Sequence, residues 1–149
     1  MSLHGKIEFA ELTDTGRVRE HNEDAVGAVP SIGLMVLADG MGGSNAGEVA
    51  SGLAVQIVTE LASEAAARDE LDEIDPHSGL MRQSIILRDG IYRSNMLIFQ
   101  TAQSQTHCEG MGTTIVACMF YDKKVSVAHV GDSRAYRTRG GHLEQVTLD

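Results

Sequence analysis

The pattern of this chain predicts an α+β fold in which antiparallel sheet packs against a pair of helices. Three observations carry that expectation. Two long stretches, about 45–67 and 76–103, place apolar residues at helical period. Short β-rich runs precede and follow them. The element order is β-β-β, then α-α, then a β meander, and it lacks the β-α-β alternation of a parallel, doubly wound sheet.

Each element has a local reason. Ile7 to Leu12 reads as a short strand, closed by the turn-like Thr13-Asp14-Thr15-Gly16. Val26 to Val29 reads as a second strand, ended by Pro30-Ser31. Leu34-Met35-Val36-Leu37-Ala38 is a continuous apolar run, too short for a helix and suited to a strand buried on both faces. Helix 45–67 is predicted to open with a capping box, Asn45 with Glu48 three positions on. Its stripe is Val49, Leu53, Ile57 and Leu61, flanked by Ala50, Ala54, Val58 and Ala65. After a charged loop from Arg68 to Asp75, Pro76 suits the first position of the second helix. Leu80, Leu87 and Ile91 mark one apolar face of it; Met81, Ile85, Tyr92 and Phe99 mark another, and Gly90 interrupts the pattern. Thr113 to Tyr121 and Val125 to Val130 read as strands around the turn Asp122-Lys123-Lys124. Arg134 to Arg137 and His142 to Val146 read as two more, joined through Gly140-Gly141.

Composition bounds the function. With 149 residues the chain has one domain's worth of sequence, and 42% hydrophobic with 22% charged residues is ordinary for a soluble domain. No apolar run approaches the roughly 18 residues of a membrane span, and the first residues lack the apolar core of a secretory signal. The expected setting is cytoplasmic. The net charge of −9, from 21 acidic against 12 basic residues, argues against nucleic acid as partner. Cys108 and Cys118 lack a CxxC spacing and read as two inert thiols.

Four segments stand out. Arg19-Glu20-His21-Asn22-Glu23-Asp24 is alone explained by a solvated charged turn. In Ala38-Asp39-Gly40-Met41-Gly42-Gly43 an aspartate ends an apolar strand, where an unpaired carboxylate needs a cation or strong donors. A tight strand-to-helix turn would also explain its glycines. Glu109-Gly110-Met111-Gly112-Thr113-Thr114 is by itself a loop entering a strand. Val130-Gly131-Asp132-Ser133-Arg134-Ala135-Tyr136 again sets an aspartate after an apolar strand.

Together, in order and spacing, these segments resemble the metal-dependent protein serine/threonine phosphatases of type 2C, the PPM family, in their bacterial form. The resemblance runs from about Ile7 to Asp149. It implies two stacked antiparallel sheets flanked by antiparallel helix pairs. It implies hydrolysis of phosphoserine and phosphothreonine on proteins by a hydroxide bridging two Mn²⁺ or Mg²⁺ ions, with a third ion in some members. Asp39 would bridge the two ions and the Gly40 carbonyl would join one of them. Glu23 would contact that ion, Asp24 would hold a water on the metal, and Asp132 would bind a further, weaker ion. Arg19 would grip the substrate phosphate through planar, bidentate donors. Partners would be phosphoproteins, the substrates of a serine/threonine kinase.

Two departures from the pattern follow. Eukaryotic relatives often carry a histidine after the Asp-Gly pair, proposed as general acid; here that position is Met41, which cannot donate a proton. The chain also stops at Gln145-Val146-Thr147-Leu148-Asp149, which resembles the middle of the family domain. Residues 1–149 are therefore expected to be an incomplete catalytic domain lacking two further metal-binding aspartates. A non-catalytic fragment or pseudophosphatase, acting as a binding or regulatory module, is the alternative. A haloacid-dehalogenase-type reaction with Asp39 as nucleophile needs a second acid at position 41 and is set aside.

Overall fold

The structure, a computed structural model, describes residues 3–149. Strands β1 (Asp24–Val29) and β2 (Leu34–Met41) form an antiparallel pair, joined by a single turn of 3-10 helix at Pro30–Ile32. Gly33 allows the tight return, with φ of 70° and no room for a side chain beside Phe120. Helices α1 (Ala46–Ala67) and α2 (Arg82–Ser104) follow, then β3 (Gly112–Thr113), β4 (Ile115–Tyr121) and β5 (Lys124–Val130). The main sheet has the order β1-β2-β4-β5, with β3 continuing along β2. A separate hairpin of β6 (Tyr136–Arg139) and β7 (His142–Gln145) closes the chain. Among the described residues no helix is long and apolar enough to cross a membrane.

Both helices lie on one face of the sheet. Leu34, Val36 and Ala38 of β2 meet Ala50, Ala54, Val58 and Ala62 of α1, with Leu87 of α2 and Met119 of β4 completing a solvent-free cluster. The small residues let α1 approach the sheet closely. The buried line of α1 is therefore Ala46, Ala50, Ala54, Val58, Ala62 and Ala65. The expected stripe of Val49, Leu53, Ile57 and Leu61 is displaced to the flank, where Val49 is exposed and the other three are half-buried. Gly90 earns its place by contact: a Cβ there would lie 3.1 Å from Val58 Cγ2, so α2 crosses α1 at this point. At its other side α2 is fastened to the β4–β5 hairpin by Ser84 Oγ, 2.6 Å from Ser126 Oγ, which also donates to the Tyr121 hydroxyl.

Several expectations are corrected. Ile7 to Leu12 forms no strand. Residues 9–12 line a cavity with Val26, Met35, Leu37 and Cys118, so the segment meets the sheet at its face, where no ladder of backbone groups is on offer. The run Leu34 to Ala38 is buried on one face only, since Met35 and Leu37 point away from the helices. No capping box forms at Asn45: its φ of 65° is left-handed and its side chain caps nothing, whereas the box needs an extended residue there. The second helix does not begin at Pro76. Asp75 accepts hydrogen bonds from the Ser78 N–H and hydroxyl, both 2.7 Å, and left-handed Gly79 ends that turn before Arg82 starts α2. Tyr92 and Phe99 do not face the core; they lie on the solvent side of α2. The strand expected at Arg134 begins at Tyr136, because Arg134 turns back to bind Asp149 and the Tyr136 hydroxyl.

The cysteines remain free thiols, Cys108 buried and Cys118 with its pKa raised by burial. That keeps Cys118 protonated and a poor nucleophile.

Leu87 has no exposed surface, while Phe99 is 64% exposed on the same helix. Leu87→Ala is expected to cost about 2–5 kcal/mol in urea unfolding, whereas Phe99→Ala stays within about 0.5 kcal/mol.

Candidate metal and phosphate site

The site is built where β2 runs into α1. Asp39 and Asp24 are direct partners in the β1–β2 register, on the face of the sheet opposite the helices. Gly40, one residue on, points the other way and is pressed against α1. A Cβ on Gly40 would sit 2.0 Å from the Gly47 carbonyl oxygen, and one on Gly47 would sit 2.6 Å from Glu23 Oε1. Two glycines thus let strand, helix and carboxylate share a space that no other residue pair would leave open. The Gly40 N–H donates to the Glu23 carbonyl at 3.0 Å, and the Ser51 hydroxyl donates to the same oxygen at 2.7 Å. Glu23 is thereby held with its carboxylate at the first turn of α1, where the helix dipole favours negative charge.

The loop before β1 is pinned by Asn22. Its Nδ2 donates to Thr13 Oγ1 at 2.7 Å and its Oδ1 accepts from the Asp24 N–H at 3.0 Å. The result is a cleft of about 380 Å³ lined by Asp14, Arg19, His21, Glu23, Asp24, Asp39 and Gly40, among others. Of the residues expected at the site, Arg19, Glu23, Asp24, Asp39 and Gly40 are therefore brought together. Asp132 does not line that cleft. It sits on the loop after β5, close enough for its charge to act on Asp39. Asp14 and His21 line the cleft as well; the only sequence signal for them was their neighbourhood to Arg19 and the Gly16 turn.

The electrostatics show what the site lacks. The Asp39 carboxyl is pushed above its ordinary pKa of 3.8, first by burial, then by the charge and hydrogen bonding of Asp24 and the charge of Asp132; Arg19 opposes the rise. A carboxyl held above its ordinary pKa by neighbouring carboxylates is short of positive charge. This donor set, all hard oxygen, fits Mg²⁺ or Mn²⁺. Among the described residues no three His, Cys, Asp or Glu side chains converge as a ready metal cage, so waters and backbone carbonyls would complete any coordination sphere. Mg²⁺ commonly keeps several waters in this way.

The family model for protein phosphatase 2C matches residues 15–149, and the chain belongs to that family. Serine/threonine protein phosphatase PstP of Mycobacterium tuberculosis is 38% identical over 143 residues, 96% of this chain and 25% of that protein. Serine/threonine phosphatase stp of Listeria monocytogenes is 38% identical over 140 residues, 92% of this chain and 52% of that protein. The crystal structure of the PstP catalytic domain in complex with two manganese ions superposes with a TM-score of 0.74 at 37% identity, covering 91% of this chain and 53% of that one. Stp1 from Staphylococcus aureus gives a TM-score of 0.73 at 38% identity, covering 93% and 52%. The chain thus has the α+β fold of these phosphatases and spans about half the length, or less, of the relatives it matches.

Two outcomes are expected from this packing. Gly40→Ala forces β2 and α1 apart and should lower stability by about 1–3 kcal/mol or more in urea unfolding. A raised carboxyl pKa means that the folded chain binds protons more tightly than the unfolded one. Folded stability then declines as pH rises through and above 3.8, and the penalty persists at neutral pH. With chelator present, Asp39→Asn should therefore raise Tm at pH 7, by a margin that shrinks at pH 3. A lower Tm for the variant at pH 7 would contradict the repulsion.

Proposed function

We propose that this chain forms part of a protein serine/threonine phosphatase catalytic domain that hydrolyses phosphoserine and phosphothreonine on proteins with two Mn²⁺ or Mg²⁺ ions. The observation that carries the reading is the pair of facing acids beside Glu23 and Arg19. Asp24 and Asp39 face each other across β1 and β2, Asp132 adds charge, and the Arg19 cation acts on Asp39. That arrangement would hold cations at Asp39 and Asp24 and a phosphate at Arg19. PstP, which shares 37% identity in this region, has been crystallised with two manganese ions, and this supports the same ions here.

When bound, such ions acidify a water to supply hydroxide near neutral pH and neutralise phosphoryl charge. The protein's own groups do the rest. Asp39 would bridge the two cations, with the Gly40 carbonyl, Glu23 and, through water, Asp24 around them. Asp132 would hold a further ion at the outer edge. Arg19 lies on the exposed loop that rims the cleft, free to present two parallel N–H donors to phosphate oxygens. Met41 is 66% exposed beside the cleft and has no proton to give, so the leaving serine or threonine oxygen would take its proton from water or from another residue. Neither cysteine is needed as a nucleophile. Phosphoproteins made by a serine/threonine kinase are the proposed partners.

Phosphate release from a phosphothreonine peptide should depend on Mn²⁺ and stop with chelator. Arg19→Ala should raise KM by about tenfold or more with kcat changed far less, the loss of a charge-assisted contact of about 1.5–3 kcal/mol. Asp39→Asn should remove metal-dependent turnover altogether. Release that survives chelation and Asp39→Asn would overturn the reading.

A further inference from the structure

We propose that Thr114 is a positioning residue: its side chain ties the strand carrying Asp39 to the loop carrying Asp132 and so sets the geometry on which divalent-cation affinity depends. This rests on the metal reading above.

The observation is a substitution inside the β-ladder. Leu37 pairs with Val116 on β4 and Gly40 pairs with Thr113 on β3, which places Asp39 opposite Thr114. A hydrogen-bonded antiparallel pair exchanges two backbone bonds. One is present, from the Thr114 N–H to the Asp39 carbonyl at 2.9 Å. The other is rerouted. The Asp39 N–H donates to Thr114 Oγ1 at 3.1 Å, and the Thr114 carbonyl instead accepts from the Thr113 hydroxyl at 2.7 Å. A side chain has taken a carbonyl's place in the ladder, and this is why β3 and β4 are separate strands.

The same hydroxyl reaches outward. Thr114 Oγ1 lies 2.5 Å from Ser133 Oγ, immediately after Asp132. The methyl group is also used. A Cβ on Gly131 would fall 2.8 Å from Thr114 Cγ2, and Gly131 has a φ of 100°, so the loop bends closely over the threonine. Thr114 is half-buried, and its hydroxyl and methyl together fix the residues on either side of Asp132. The charge of Asp132 reaches Asp39 across this short link. The threonine touches no reacting atom; its action runs through the two aspartates, as hydrogen-bonded partners of metal ligands act elsewhere.

A double-mutant cycle on Mn²⁺ affinity, read by the electron paramagnetic resonance of the free ion, separates positioning from a general structural role. Thr114→Val should weaken Mn²⁺ binding by about tenfold. In an Asp132→Asn background the same change should cost clearly less than in the wild-type chain, because the part of its effect that runs through Asp132 is gone. Thr114→Ser keeps the hydroxyl and should retain most of the affinity. Ser133→Ala leaves the Asp39 bond untouched and should reproduce the loss even if Thr114→Val folds poorly. An equal loss in both backgrounds, or no loss in Thr114→Val and Ser133→Ala, would overturn the inference alone. Wild-type chain that binds no Mn²⁺ would overturn the proposed function and this inference with it.

Discussion

Everything at the site depends on how closely β2 and α1 approach at Gly40 and Gly47. The two backbones meet with space for hydrogen atoms only. That contact fixes where the strand ends and the helix begins. It leaves Asp39 on the open face, one residue before the contact, and seats the Glu23 carboxylate against the helix start. A larger residue at either glycine would move the acids as well as the helix, so the packing of the core and the geometry of the cleft are one constraint.

The sheet has two unlike faces. Alternation along β2 sends Leu34, Val36 and Ala38 into the helix layer and Met35, Leu37 and Asp39 to the other side. The helix side supplies stability through buried apolar area. The other side carries Asp39 at one end and an apolar surface along the rest, with Met35 36% and Leu37 40% exposed. An apolar face of that kind is what a second sheet covers in the stacked sandwich of the family. Rigidity for the acids therefore comes from behind, from α1 and the ladder, and access to them comes from the front.

Much of the fold was legible in the residues. Helical period over about 45–67 and 76–103 marked α1 and α2, though α2 starts later, at Arg82, and an apolar run, a β-rich run and an alternating run marked β2, β4 and β5. The errors at the helix starts are local ones of backbone and side-chain conformation. Asp75 with Ser78 builds a turn where a proline suggested a helix start, and the left-handed Asn45 cannot cap. Ile7 to Leu12 has the composition of a strand but meets a sheet face, and composition says nothing of whether an edge is within reach. Tyr92 and Phe99 follow helical spacing, yet spacing alone does not tell which of two faces a neighbour covers.

What the sequence by itself determined is the chemistry available: Arg19, Glu23, Asp24, Asp39 and Asp132, their order, and the glycines beside them. Their reading as one set came from the resemblance of the four ordered segments to a family, because each segment alone is explained by a turn or a loop. Only the tertiary structure decided that Asp24 stands opposite Asp39, that Asp132 approaches from outside the cleft, and that Thr114 meets Asp39 across 75 positions of chain. These are pairings between distant segments. They arise from strand register and from the fit of two glycines, and neither is written in any local stretch of residues.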